Sequence, residues 1–282
     1  MEQKLIFLDI DGTILGYDGT LPASAVTAIK TARQNGHRVY LNSGRSKAEL
    51  PKELLAIGFD GIIGGNGNYV ENDGQVIFHQ ALPLEAEQAI VAWLTERDLP
   101  FYLESNAGLF GSPAFEIKAK PAFQAYIHGK NPQADTSNLK VEDELHGLIL
   151  GADLTRSDVN KISFTLNSYQ DFLDAKEAFP ELEAGTWGGK DELALFGDLR
   201  PKNITKSNAI DHLLTFLNAT KEQTVAFGDA KIDIPMFAYC NLGVAMGNAG
   251  PETKAAADLI TTDLMDDGLF NGFKEIGVLS ND

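Results

Sequence analysis

Short runs that are apolar on both faces, rather than on alternate residues, constrain this chain most. Lys4 to Leu8, Arg38 to Asn42, Gly61 to Ile63, Thr224 to Phe227 and Leu242 to Ala245 all have strand length and this character. A strand with two apolar faces needs cover on both, which is the condition of a parallel sheet sandwiched between helices. Helical periodicities fall between the runs, at Pro22 to Gln34, Lys47 to Ile57 and Ile204 to Leu217, so the order is βαβα. The fold class this predicts is α/β, a doubly wound parallel sheet. Val70 to Phe78 departs from the pattern and reads as two short strands about a turn at Asn72, Asp73 and Gly74.

From Pro83 the alternation changes. Glu85 to Glu96 carries apolar residues at 86, 89, 90, 93 and 94, one face of a helix. Phe101 to Leu103, Leu148 to Leu150 and Ile162 to Leu166 read as strands, and Tyr169 to Phe179 as a further helix. After Gly185, Gly188 and Gly189 the first pattern resumes, with an expected strand at Leu193 to Phe196 and a last one near Leu259 to Thr261. The chain of 282 residues is about twice the usual domain length. The expected organisation is a core of residues 1–81 and 190–282, interrupted by an inserted α+β domain of residues 82–189. Trp93 and Trp187, both in the insertion, are expected to pack rather than to serve as substrate platforms.

Charge narrows the partners. Forty acidic against 23 basic residues leave a net charge of −17, which opposes binding to nucleic acid or an anionic membrane. The longest apolar stretch, Ala89 to Leu94, falls far short of the roughly 18 residues a membrane span needs. Leu5 to Leu8 runs at once into Asp9, too short and too soon charged for a secretory leader. The one cysteine, Cys240, permits no intrachain disulfide or thiolate cluster and is expected to be buried. A cytoplasmic location is the expectation.

Chemistry concentrates at two strand ends. Asp9-Ile10-Asp11-Gly12-Thr13 follows the first apolar run directly, at the carboxyl edge where open α/β sheets bind ligands. It is not a calcium-binding EF-hand loop, because the sixth position is Ile14 and the twelfth Thr20, where glycine and glutamate are required. The metal-binding Asp-x-Asp of nucleotide-sugar glycosyltransferases remains an alternative for this pentapeptide alone. Thr224 to Phe227 also ends in acid, at Gly228-Asp229 with Asp233 four residues on. Four carboxylates at one rim repel one another, and a hard divalent cation with oxygen ligands is the simplest remedy, Mg²⁺ where a phosphate adds oxygens of its own. The five histidines, at 37, 79, 128, 146 and 212, have no zinc-ligand spacing.

Taken in order, Asp9-Ile-Asp-Gly-Thr, then Asn42-Ser43-Gly44-Arg45, then Lys206 in Ile204-Thr205-Lys206-Ser207, then Gly228-Asp229-Ala-Lys-Ile-Asp233 resemble the four motifs of haloacid dehalogenase-like phosphatases. Gly243-Val-Ala-Met-Gly-Asn-Ala249 and Asp267-Gly268 resemble the Cof-type subgroup, whose class IIB cap is inserted between the second and third motifs. The resemblance implies a Rossmann-like core, a substrate-selecting cap, Mg²⁺ and hydrolysis of small phosphorylated metabolites, sugar phosphates or related, through an aspartyl phosphate. It implies Asp9 as nucleophile and Asp11 as general acid and base. The implied metal ligands are Asp9, Asp11 through its main-chain carbonyl, Asp229 and Asp233. Lys206, Ser43 and the amides of Gly44 and Ile10 would hold the phosphoryl group, and Arg45 would contact substrate or pair with a core carboxylate. Gly64 to Asn68 resembles the family's turn after the third strand.

One position departs from the pattern: Ile232 stands where Cof-type sequences typically carry asparagine. An isoleucine donates no hydrogen bond, and the loss of one charge-assisted bond costs about 1.5–3 kcal/mol. That leaves a second reading open, a phosphometabolite-binding or regulatory protein with weak turnover.

Overall fold

The computed structural model of the chain describes residues 2–130, 132–186 and 195–279. Trp187, Gly188, Gly189 and the first two residues of the strand expected at Leu193 to Phe196 lie outside the described residues. The chain divides into two compact units. The first comprises Met1–Gly44, Pro51–His79 and Thr205–Asp282, and the second Arg45–Leu50 and Gln80–Ile204.

The strands in chain order are β1 (Leu5–Leu8), β2 (Arg38–Asn42), β3 (Gly61–Gly64), β4 (Tyr69–Asn72), β5 (Gln75–His79), β6 (Phe101–Ser105), β7 (Leu109–Gly111), β8 (Leu148–Leu150), β9 (Val159–Thr165), β10 (Leu182–Thr186), β11 (Phe196–Pro201), β12 (Thr224–Gly228), β13 (Leu242–Ala245) and β14 (Leu259–Ile260). The first unit is built on one sheet, ordered β14-β13-β12-β1-β2-β3-β4-β5. Its first six strands run parallel, and β4 and β5 add an antiparallel hairpin. This is the doubly wound α/β sheet the sequence predicts.

Burial on two faces explains it. Leu5 and Phe7 pack with Tyr40, Ile210 and Leu213 on one side, while Ile6 and Leu8, which point the other way along the strand, are fully buried as well. Helix Ala23–Gln34 buries Ala25, Ala28, Ile29 and Ala32, and helix Lys206–Leu217 buries Lys206, Ala209, Ile210, Leu213 and Leu214. Both sets follow the spacing of one helical face. The hairpin turns through Asp73 and Gly74, both at positive φ, as a two-residue turn matched to strand twist requires.

Two expected elements come out differently. The helix read over Lys47 to Ile57 is a 3₁₀ turn, Lys47–Glu49, and a separate helix, Lys52–Leu55. Pro51 causes the break: its ring has no N–H to donate and holds Leu50 in an extended conformation, ψ 124°. The strand expected at Leu193 to Phe196 is described as β11, which begins at Phe196 and pairs antiparallel with β9 and β10 rather than joining the parallel sheet. The second unit therefore runs to Ile204.

That unit has a mixed sheet, ordered β10-β11-β9-β6-β7-β8. Phe101, Leu103, Ile162, Phe164 and Leu199 cover one face, packed with Ile90 and Leu94 of helix Leu84–Glu96 and with Phe172 and Ala175 of helix Tyr169–Ala178. No helix among the described residues is long and apolar enough to cross a membrane.

Two measurements test this packing. Leu213→Ala, fully buried, should lower the unfolding free energy by about 2–5 kcal/mol, whereas Phe216→Ala on the exposed side of the same helix should change it by about 0.5 kcal/mol or less. Equal shifts in urea denaturation midpoint would contradict the assigned helix face. Glu87 is buried in helix Leu84–Glu96, and that burial, with Asp153 adding, pushes its pKa up to about 7 against the opposing effect of Arg156. A carboxyl raised on folding favours the native state as it protonates, so its penalty is full above about pH 7 and disappears as the pH falls towards its ordinary range. Glu87→Gln should therefore raise the melting temperature at pH 8 and leave it nearly unchanged at pH 4.

Candidate active site

The parallel register sets the site. Leu8 lies opposite Phe227 on one side and Leu41 on the other, so β1, β2 and β12 end together at one edge of the sheet. Asp9 continues β1 by one residue, its amide donating to Phe227 O at 3.0 Å. Asp229 follows β12 in the same way. Ser43 follows β2, with its amide donating to Ile63 O at 2.9 Å.

Between Ile10 and Leu15 the backbone folds onto itself, with Ile10 O accepting from the amides of Thr13, Ile14 and Leu15. Gly12 lies at φ +85° in this turn, and a Cβ there would stand 2.1 Å from Asp229 Oδ2. Only glycine meets both conditions. Gly228 is under a similar constraint, because its Cβ would lie 2.5 Å from that of Asp233. Gly12 lets the two acidic loops approach, and Gly228 lets the loop after β12 turn back so that Asp233 packs against it.

Lys206 enters from the first turn of its helix. Thr205 caps that helix, its Oγ1 accepting from the Asn208 amide at 3.0 Å. Lys206 occupies the position on the buried face where an apolar residue would ordinarily stand. Its Nζ donates to Asp9 Oδ1 at 2.6 Å and to Asp233 Oδ1 at 2.7 Å. Asp233 Oδ2 accepts from the amides of Asp229 and Ala230 at 3.2 and 3.1 Å. Asp233 thus orients both the ammonium and the turn after β12.

The electrostatic balance is negative. Asp9, Asp229 and Asp233 are all buried, and each offers a carboxylate oxygen within 4.8 Å of the others. Burial pushes Asp9 up to about 7 despite Lys206, with Asp233 and Asp229 adding to the effect. Burial likewise raises Asp229 to about 6, with Asp233 and Asp11 adding and the Tyr17 hydrogen bond opposing. Burial disfavours the charge on Lys206, but Asp9 and Asp233 outweigh it and hold the ammonium above its ordinary range. Asp229 Oδ1 is buried and has no hydrogen-bond partner. A buried, unpaired carboxylate oxygen beside two further carboxylates suits a hard divalent cation with oxygen ligands.

The other sequence-derived residues are placed as follows. Asp11 is partly exposed, and its main chain bridges to that of Leu15. Its carboxylate stands outside the close group of three. Ile10 is fully buried and Ser43 nearly so. Gly44 lies against Asn66, whose Oδ1 would be 3.0 Å from a Cβ at Gly44, and the Asn66 amide donates to Ser43 O at 3.0 Å. The turn read over Gly64 to Asn68 thus supports the Ser43 loop. Arg45 opens the segment that belongs to the second unit, and its Nη1 donates to Glu49 O at 3.4 Å. Ile232 is exposed.

Two residues escaped the reading of the sequence. Asn248 donates from Nδ2 to Gly12 O at 2.8 Å and accepts the Leu264 amide on Oδ1 at 3.0 Å. Its place in the Gly243-to-Ala249 run was the one available signal. Tyr17 donates from its hydroxyl to Asp229 Oδ2 at 2.8 Å. A lone tyrosine 212 residues from its partner carries no sequence signal.

The chain is 33% identical over 289 residues to YkrA of Bacillus subtilis (strain 168), a match covering 99% of this chain and all of that protein. It is 24% identical to Phosphatase YwpJ of the same organism, over 97% of this chain and all of the relative. Among solved structures, a protein of Geobacillus kaustophilus HTA426 superposes with a TM-score of 0.83 at 23% identity, covering 99% of this chain and 100% of that one, which bears on the fold. The HAD subclass IIB sugar phosphatase BT4131 superposes with a TM-score of 0.74 at 26% identity, covering 98% and 100%. The family model of haloacid dehalogenase-like hydrolases matches residues 6–273, and the chain belongs to that family of enzymes.

Proposed function

We propose that this enzyme is a Mg²⁺-dependent phosphatase of the cytoplasm that hydrolyses small phosphorylated metabolites, sugar phosphates foremost, through an aspartyl-phosphate intermediate. The observation that carries the reading is the buried Lys206 ammonium, which holds Asp9 by one oxygen beside the unpaired Oδ1 of Asp229. The names of relatives lend support, one a phosphatase and one a sugar phosphatase. A glycosyltransferase reading leaves Lys206 and Asp229 without a task.

In this reading Asp9 Oδ2, the oxygen Lys206 does not take, attacks phosphorus. The bond from phosphorus to the leaving oxygen breaks, and Asp11 gives that oxygen its proton. Asp11 then takes a proton from water, whose oxygen bonds to phosphorus as the bond to Asp9 breaks. Phosphate leaves, and both carboxyl groups return to their starting states. Asp9, Asp229 and the Asp11 main-chain carbonyl would hold Mg²⁺, with Asp233 as a further ligand or behind them. When bound, the cation supplies positive charge against the repulsion between carboxylate and phosphoryl group, about 4 kcal/mol per unit pair at 4 Å and an effective dielectric near 20.

Lys206 fixes the nucleophile and adds positive charge. Ser43 and the amides of Gly44 and Ile10 donate to the phosphoryl oxygens and hold them in line. The inserted unit selects the leaving group. Ile232 favours one second reading, a phosphometabolite-binding protein with weak turnover, because isoleucine forgoes a hydrogen bond.

The test uses p-nitrophenyl phosphate with Mg²⁺. Asp9→Asn should lower turnover by at least about a thousandfold, since the nucleophile itself is removed, and turnover surviving that change would refute the mechanism. EDTA should abolish activity and excess Mg²⁺ restore it. Absence of turnover in the unaltered protein, with binding of phosphorylated metabolites intact, would decide for the second reading. Lys206→Met should reduce kcat about a hundredfold or more, the size of effect seen when one charge-stabilising donor is lost.

A further inference from the structure

Tyr17 is a large aromatic residue with 62% of its surface exposed, so burial of its ring does not account for its position. A tight loop presents it: the Gly16 amide donates to Thr20 O at 2.8 Å, the Gly19 amide to Gly16 O at 2.8 Å, and the Thr20 amide to Asp18 Oδ1 at 2.9 Å. From this loop the hydroxyl reaches Asp229 Oδ2 at 2.8 Å. The consequence falls on the other oxygen. Asp229 is packed against the Cα of Gly12, and with Oδ2 engaged its Oδ1 is left buried and without a partner.

We infer that Tyr17 is a positioning residue for the cation, fixing the rotation of the Asp229 carboxylate so that Oδ1 alone faces the metal. A carboxylate free to rotate about its Cβ–Cγ bond presents either oxygen or both. One hydrogen bond to Oδ2 removes that choice before the cation arrives, and partners of this kind set ligand orientation at metal sites in general. Asp233 differs, because main-chain amides and Lys206 already hold its two oxygens. Asp229 has the Tyr17 hydroxyl in that role.

The inference rests on the cation-dependent reading above, and its test keeps the two separable by measuring Mn²⁺ binding to the metal-free protein without substrate. Tyr17→Phe removes only the hydroxyl. Its Mn²⁺ dissociation constant, read by electron paramagnetic resonance of the free ion, should rise about tenfold. The melting temperature of the metal-free variant should fall by no more than about 5 °C, the size expected for one lost hydrogen bond. With p-nitrophenyl phosphate, the kcat of Tyr17→Phe should return to within about twofold of the original at saturating Mg²⁺. Tyr17→Leu should match Tyr17→Phe.

Equal Mn²⁺ affinities in Tyr17→Phe and the unaltered protein would overturn the inference while leaving the proposed function standing. An unaltered protein that binds no Mn²⁺ would overturn both. A kcat deficit persisting at saturating Mg²⁺ would place the hydroxyl on the substrate instead. Weakening in Tyr17→Leu alone, or a collapse of the metal-free melting temperature, would reduce Tyr17 to packing.

Discussion

The contact between the Lys206 ammonium and the carboxylates of Asp9 and Asp233 is the interaction on which the first unit's sheet edge depends. Removing an ion from water costs several kcal/mol even after relaxation, and that cost is offset only when the charge meets close, well-oriented partners. Lys206 has two at 2.6 and 2.7 Å. Without the lysine, three buried carboxylates would face one another with nothing to balance them. Its position on the inward face of a capped helix is therefore a condition for bringing the loops after β1 and β12 together.

The parallel sheet makes that meeting possible. Strands that run the same way end at the same edge, so residues separated by more than two hundred positions become neighbours without any long connection between them. Asp9 and Asp229 each stand directly after a fully buried strand, Gly12 removes the side-chain bulk that would keep the two loops apart, and Gly228 makes room for Asp233 within its own loop. The fold positions the charges, and the glycines set how close they come.

This explains what the sequence discloses and what it withholds. β1, β2 and β12 are legible because two-faced burial writes a continuous apolar run, and Asp9 and Asp229 because each follows such a run, whereas Lys206 is legible only through its place in the ordered motifs. Pro51 marks the break, inside a helical periodicity that otherwise runs on across it. Helix Phe115–Lys130 is hidden by Pro121 in its interior and by its irregular pattern. β11 could not be assigned to a sheet from its own residues, since antiparallel pairing with β9 and β10 is settled by distant chain. Tyr17 and Asn248 each reach a partner more than two hundred residues away, and contacts of one residue with distant chain leave no period to read.

The second unit shows why buried charge by itself does not mark a site. On its sheet, Lys161 and Glu104 pair at 3.2 Å and Arg200 pairs with Asp198. Burial, with Glu49 nearby, pushes Glu104 up to about 8, and Lys161 opposes that shift as the carboxyl's own partner. The group in the first unit has less compensation. Asp9, Asp229 and Asp233 share the single Lys206 ammonium, and Asp229 Oδ1 is left without a hydrogen-bond partner. Paired side chains balance the charge in one unit, whereas the surplus of buried carboxylates in the other suits a cation.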